Sequence, residues 1–268
     1  FLARVSGKIS GNVLLRRKQY RVADVGAETA GLAKAFVSGK VLNCRSVLLR
    51  FVRDHNEKEG AQEVAEAAER LLGYFKALDS SLSVDAIRGI EGDAARAYYG
   101  VFRHLITEQK DSFAFRSRSR RPPLDPMNAL LSFLYTLLMM DCASALETVG
   151  LDPQVGFLHR DRPGRLSLAL DLMEELRPYL VDRLALTLVN NKQVGPNGFV
   201  KKESGGVLMD PDTRKLVLTE WQKRKQEEIV HPFLEEKISI GLIPYVQSLL
   251  LARHLRGDLD GYPPFLMR

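Results

Sequence analysis

Apolar residues recur at spacings of three and four through most of this chain, the period of a helix with one buried face. The pattern predicts helices over AGLAKAF (30–36), VLNCRSVLLRFV (41–52) ahead of Asp54, and VAEAAERLLGYFKAL (64–78). Gly39 is expected to separate the first two, and the HNEKEG loop (55–60) the next pair. After DSSLS comes IRGIEGDAARAYYGVF (87–102), with Ile87, Ile90, Ala94, Ala95, Tyr98, Val101 and Phe102 on one side. FAFRSRSRRPPLDP (113–126) breaks the period, because paired prolines forbid helix continuation, and Asp125 with Pro126 makes an N-cap and first turn for a buried helix from Met127. A Pro- and Gly-rich loop, LDPQVGFLHRDRPGR (151–165), leads into a helix over SLALDLMEELRPYLVDRLAL (167–186). The stretch from Val189 to Leu218 reads as irregular or hairpin-like around GPNG and SGG. TEWQKRKQEEIVHPFLEEK (219–237) and IPYVQSLLLARHLRG (243–257) return to amphipathic helix, and nothing helical is expected beyond Gly257.

The first 25 residues differ. FLARVSGKISGNVLL alternates like strand sequence, with SGN (10–12) turning between VSGKI and VLLRRKQYRV. The expected fold is therefore mainly α: residues 1–25 as the remnant of a small β-rich amino-terminal domain, and residues 26–268 as a helical catalytic domain.

With 268 residues, 45% of them hydrophobic, the chain can bury one large core or two smaller ones. Lysine and arginine (39) exceed aspartate and glutamate (33), for a formal charge of +6, which tilts towards a polyanionic partner without requiring one. Cys44 and Cys142 lie in apolar segments without CxxC spacing, as expected of reduced core thiols in a cytoplasmic protein. The longest apolar run, Met127 to Met140, is short for a membrane span and contains Asn128, so no membrane partner is predicted. The chain begins at Phe1 with no charged and apolar leader, so the natural amino terminus is expected upstream and no signal peptide is predicted.

Chemistry enters with Glu91, which falls on the apolar side of its helix. A carboxylate taken out of water costs on the order of several kcal/mol unless it gains a partner, which could be an arginine, backbone donors or a metal ion. His159, in GFLHRDRPGR, is a second candidate, and Asp171 with Glu174, three apart on one helix face, a third. Each alone has an ordinary explanation: a salt bridge, a solvated loop histidine, a solvated helix face. Together they make a set of hard oxygen ligands with one imidazole, which suits Mg²⁺ or Mn²⁺ better than structural zinc. Ringed by Arg160, Arg162, Arg165, Arg177 and Arg183, such a site would attract phosphates. Arg116, Arg118, Arg120 and Arg121 form a second basic run, interleaved near Phe113 and Phe115 as in a nucleic-acid contact. No P-loop, GxGxxG or serine-nucleophile motif is present.

GIEGDAARAYY, RRPPLDPMNALLSFLYTLL, GFLHRDRPGRLSLALDLMEELRP and SGGVLMDPDTRKLVLTEWQKRK, in that order, closely resemble the CRISPR adaptation integrase family, Cas one. The resemblance runs from about Gly7 to near the end, with spacing most like the type I-C branch. It implies a small β domain before a helical catalytic domain, and a divalent metal, Mg²⁺ or Mn²⁺, held by Glu91, His159 and Glu174, with Asp171 as a supporting acid and a competitor for the last position. It matches Arg177 to a basic position of the family, in line with the reading of Arg177 and Arg160 as DNA contacts, and implies that most of the β domain used for dimerisation is absent, leaving its last hairpin. The implied reaction is attack by the 3′-hydroxyl of a short double-stranded DNA fragment on a phosphodiester at a CRISPR repeat. The implied partners are a second copy of the chain, a dimer of the small protein Cas two (Cas2), and Cas four (Cas4) for trimming DNA ends. Two other readings stand beside it: a general metal-dependent nuclease on branched or single-stranded DNA, which uses the same residues, and a non-catalytic helical DNA-binding scaffold in which Glu91 pairs with arginine.

Overall fold

A computed structural model describes residues 12–80 and 83–267. The Asn12 side chain accepts hydrogen bonds from the Leu14 and Leu15 amides and opens helix α1 (Val13–Asp24). The strand expected over VLLRRKQYRV is thus corrected to helix. Leu15, Gln19 and Val22, spaced four and three apart, are buried, while Val13 and Leu14 stay exposed, so the helical period wins over the local alternation. The strand residues expected before Asn12 lie outside the described residues.

Helix α2 (Gly26–Asp54) runs unbroken through Gly39, which does not separate two helices. A β-carbon at Gly39 would stand 2.8 Å from the Glu175 β-carbon and 3.0 Å from that of Pro264, so the glycine marks close approach rather than a break. Helices α3 (Ala61–Asp79) and α4 (Val84–Leu105, capped by Ser83) pack on α2. Helix α5 (Pro126–Val149) opens on Asp125, whose carboxylate accepts from the Asn128 amide at 2.7 Å, and closes at Gly150 in the left-handed region. At 24 residues, α5 is long and apolar enough to cross a membrane, more so than the run read from Met127 to Met140. It is a core helix: Leu130, Leu131, Leu134, Leu138 and Cys142 are fully buried, and α6 and α9 pack against it.

Helix α6 (Ser167–Leu176) continues through a π-helical turn (Arg177–Asp182) into α7 (Arg183–Asn190). Pro178, lacking an amide hydrogen, sits where the pairing shifts, and π turns gather at functional sites. The hairpin expected after α7 is present as β1 (Phe199–Lys201) against β2 (Val207–Met209). The next helix is shifted: α8 spans Pro211–Gln226, opened by Asp210 and Pro211, the same signal as Asp125 and Pro126. EEIVHPFLEEK is not its continuation but a second hairpin, β3 (Glu228–Val230) with β4 (Lys237–Ser239), because Pro232 cannot continue a helix and the buried His231 ring accepts from the Phe233 and Leu234 amides to make the turn. Helix α9 (Ile243–Arg256) ends at Gly257 as expected. The tail then folds back, burying Tyr262 and Phe265. One hydrophobic cluster joins these helices. Cys44 and Cys142 are free and buried, and burial pushes both thiols well up.

Candidate active site

Glu91, His159, Asp171 and Glu174 meet where α4, the 151–166 loop and α6 approach α2. The close contact at Gly39 seats α2 against α6, and one residue later Lys40, 5% exposed, places its ammonium between the carboxylates of Glu91 and Glu174. Lys40 Nζ contacts Glu91 Oε1 closely and lies 2.7 Å from Glu174 Oε2, but is not aligned to hydrogen-bond the latter, which has no other partner. What Glu91 faces is therefore a lysine. The argument that singled out Glu91 applies to Lys40, which shares its helix face with Phe36, Val37 and Cys44, yet sequence reasoning passed over it.

Asp171 is fully buried. Its Oδ2 accepts from the Phe157 and Leu158 amides at 2.6 and 2.9 Å, and its Oδ1 from the His159 amide at 2.9 Å and from His159 Nδ1 at 2.7 Å. A β-carbon at Gly156 would stand 2.8 Å from Oδ2, so only glycine lets the loop wrap this carboxylate so closely. With Nδ1 donating to Asp171, the neutral imidazole leaves Nε2 as an acceptor, 3.8 Å from Glu174 Oε1. Asp171 is thus saturated and orients the ring, whereas Glu174, equally buried, faces cations and keeps Oε2 without a hydrogen bond.

Arg177 Nη2 lies 3.1 Å from Glu174 Oε1. Burial would raise the Glu174 carboxyl, but Arg177, Lys40 and His159 outweigh it and hold the group at about 2. Lys40 and Arg177, whose burial opposes their charge, are in turn held above their ordinary values by these carboxylates. The guanidiniums of Arg177 and Arg118 both lie 5.3 Å from the Tyr135 ring. Tyr135 is fixed by its hydroxyl, which donates to Asp182 and pairs with Tyr99 at 2.6 Å.

From Arg177 a cleft of about 760 Å³ opens between the 118–121 loop, α5 and the 162–166 turn. Arg118, Arg120, Arg121, Arg162, Arg165 and Arg177 line it, and no carboxylate does. The structure thus gathers most of the arginines expected around the site, with exceptions. Arg160 pairs with Asp85 at 3.1 Å, Arg183 stacks on Tyr179 at 5.1 Å away from the cleft lining, and Arg116 borders an adjoining groove with Arg96 and Tyr99 that shares Arg118 and Arg120 with the cleft. Arg118 is committed to its own loop, bonding the Ser119 carbonyl, Asn128 Oδ1 at 2.6 Å and Ser132 Oγ at 3.0 Å. Phe113 and Phe115 are not stacking platforms: both are buried, Phe113 against Phe199 and Phe115 against Phe102 and Tyr99.

Among the described residues, no three histidine, cysteine, aspartate or glutamate side chains stand close enough to grip one ion. The donor chemistry fits a divalent metal all the same. Two carboxylates already share one positive charge, that of Lys40, and the imidazole turns its acceptor nitrogen to the same side.

The family described as CRISPR associated protein Cas1 matches residues 1–223. The chain is 55% identical over 272 residues to a CRISPR-associated endonuclease Cas1 of Rhodospirillum rubrum, covering all of this chain and 78% of that protein. Among solved structures it resembles a casposase bound to its integration product, with a TM-score of 0.85 and 23% identity over 98% of this chain and 71% of that one. It also resembles a Cas6-RT-Cas1–Cas2 complex, with a TM-score of 0.82 and 23% identity over 100% of this chain and 28% of that one. At that identity the two structures speak for the fold, while the family match and the curated relative establish that this chain belongs to the Cas1 family.

Proposed function

We propose that this chain is a divalent-metal-dependent DNA endonuclease and integrase that inserts new spacers into a CRISPR array. The observation that carries this reading is an arginine cleft without carboxylates that ends at Arg177, itself paired to Glu174 beside His159 and Glu91. Glu91, Glu174 and Nε2 of His159 would hold Mg²⁺ or Mn²⁺, which when bound polarises the phosphodiester and lowers the cost of charge on the attacking and leaving oxygens. Asp171 keeps the imidazole turned so that Nε2 faces the acids. Arg177, which matches a basic position of the family, and the cleft arginines take the phosphates and set the strands in line. The fragment's 3′-oxygen forms a bond to phosphorus, the bond to the displaced 3′-oxygen of the repeat strand breaks, and the proton lost by one hydroxyl is matched by that gained on the other. The family's organisation, a homodimer joined to a Cas2 dimer in the cytoplasm, is part of the same proposal.

The test is joining of a labelled DNA fragment to a supercoiled, repeat-bearing plasmid by the protein mixed with Cas2. Glu91→Ala, His159→Ala and Glu174→Ala should abolish joining while fragment binding persists. Parental activity of Glu91→Gln with Mg²⁺ or Mn²⁺ would overturn the metal-site reading. Cleavage of branched or single-stranded DNA without any joining would favour the hydrolytic alternative.

A further inference from the structure

Lys40 has no place in the reaction just described, yet it occupies its centre. Its ammonium, almost wholly buried, sits between the two carboxylates that the metal reading assigns as ligands. A buried charge of this kind is tolerated only when it is paired, and Lys40 has no pairing besides these two acids among the described residues. The acids in turn need a cation: without Lys40, two carboxylates would face each other with Arg177 and the more distant His159 ring beside Glu174 to offset them. The arrangement is that of a metal site whose positive charge is supplied by the chain.

We infer that Lys40 is an internal cation that holds the Glu91–Glu174 pair closed in the metal-free protein and must be displaced for a divalent ion to bind. This rests on the metal reading and adds to it a competition within the site. The physical consequence is a lowered apparent affinity, because only molecules in which the ammonium has left the acids can accept the ion, and the measured dissociation constant is the intrinsic one divided by that fraction. A second consequence is that the empty site does not fall apart. The lysine keeps the acids in place, so that folding does not depend on metal as it does in proteins whose ligands are uncompensated. The seat is reached from α2, whose approach to α6 is fixed at Gly39, so the ammonium cannot avoid the acids without its four-carbon stem swinging aside. A lysine suits this better than an arginine, since a point charge on a flexible stem can withdraw where a guanidinium locked in a bidentate pair could not.

The experiment is calorimetric titration of Mn²⁺ into the parent and Lys40→Met, with thermal unfolding of each at zero and saturating Mn²⁺. Methionine keeps the apolar stem and removes the charge; Lys40→Gln replaces it if that variant does not fold. The expected result is Mn²⁺ binding about tenfold tighter or more in the variant, within the usual range of coupling between two sites. The metal-free melting temperature should fall in the variant and be recovered by Mn²⁺. A merely structural salt bridge would lower stability but would not raise metal affinity. In the parent, ¹⁵N-lysine labelling should give an exchange-protected Lys40 ammonium signal that is lost on adding Mg²⁺. Equal or weaker Mn²⁺ binding by the variant, or an ammonium signal unchanged in the metal-loaded parent, overturns this inference and leaves the metal reading standing. Failure of both chains to bind Mn²⁺ overturns both.

Discussion

Glu174 and Glu175 are neighbours on one helix, both buried, and their carboxyl groups are displaced in opposite directions. Glu174 lies among cations and is held at about 2. Glu175 meets only neutral donors, namely Tyr262, Gln247 at 2.9 Å and the Phe265 amide at 3.0 Å, and burial pushes it up to about 8 despite them. Because its folded value lies above the ordinary 4.5, the stability linked to Glu175 is complete below that pH and is lost as pH rises through about 8. Glu175→Gln should therefore flatten the fall in melting temperature between pH 5 and pH 9, by about 3 °C or more at the alkaline end. Parallel pH profiles for the two proteins would show that this carboxyl ionises without cost. At Asp171, alanine strands three amides and an imidazole that the carboxylate now satisfies, so Asp171→Ala should lose about 3 kcal/mol in a denaturant titration. Glu91→Ala, which removes one acid from a crowded site, should lose less. Glu91 could be found from its position on an apolar face. That Asp171 is spent on backbone amides and the imidazole while Glu174 faces cations could not, because the distinction depends on three backbone amides brought round by Gly156.

At the scale of elements, the arginine loop divides its labour in a way that residue type hides. Arg118 is held by Asn128, Ser132 and Tyr135, whereas Arg120 and Arg121 are exposed and form no ion pair among the described residues. Arg118→Ala should lower unfolding stability by about 2 kcal/mol, the cost of losing hydrogen bonds from a charged donor. The double variant Arg120→Ala, Arg121→Ala should leave stability unchanged and shallow the salt dependence of DNA binding by about 2 units of log–log slope. An unchanged slope would show that this loop does not touch phosphate. Gly39→Ala should cost about 1–3 kcal/mol through overpacking of α2 on α6, although alanine is the better helix former. Helices with strong apolar periodicity and an Asp-Pro start were legible, as in α5. Those missed carried the same marks in weaker surroundings: α1 opens on Asn12 and α8 on Asp210–Pro211, but turn-forming neighbours suggested strands or loops.

At the scale of the whole molecule, a modest net charge of +6 becomes functional only by being sorted. Six arginines from segments far apart in the chain share one cleft, while others, such as Arg53, Arg96 and Arg256, are spent on local pairs with neighbouring acids. Composition cannot reveal that sorting, since it depends on which loops the core brings together. The cleft loop is also fastened before any ligand arrives: Val207 of β2 donates to the Pro123 carbonyl at 2.8 Å, Asn128 donates to the Ser117 carbonyl and accepts from the Ser119 amide, and Ser119 Oγ accepts from Leu124. Its backbone has therefore surrendered its conformational entropy during folding. A polyanion that docks there has no ordering penalty to meet at this loop, so association should show a heat capacity change close to zero and an on-rate governed by diffusion and ionic strength, without the slow phase of a segment that folds as it binds.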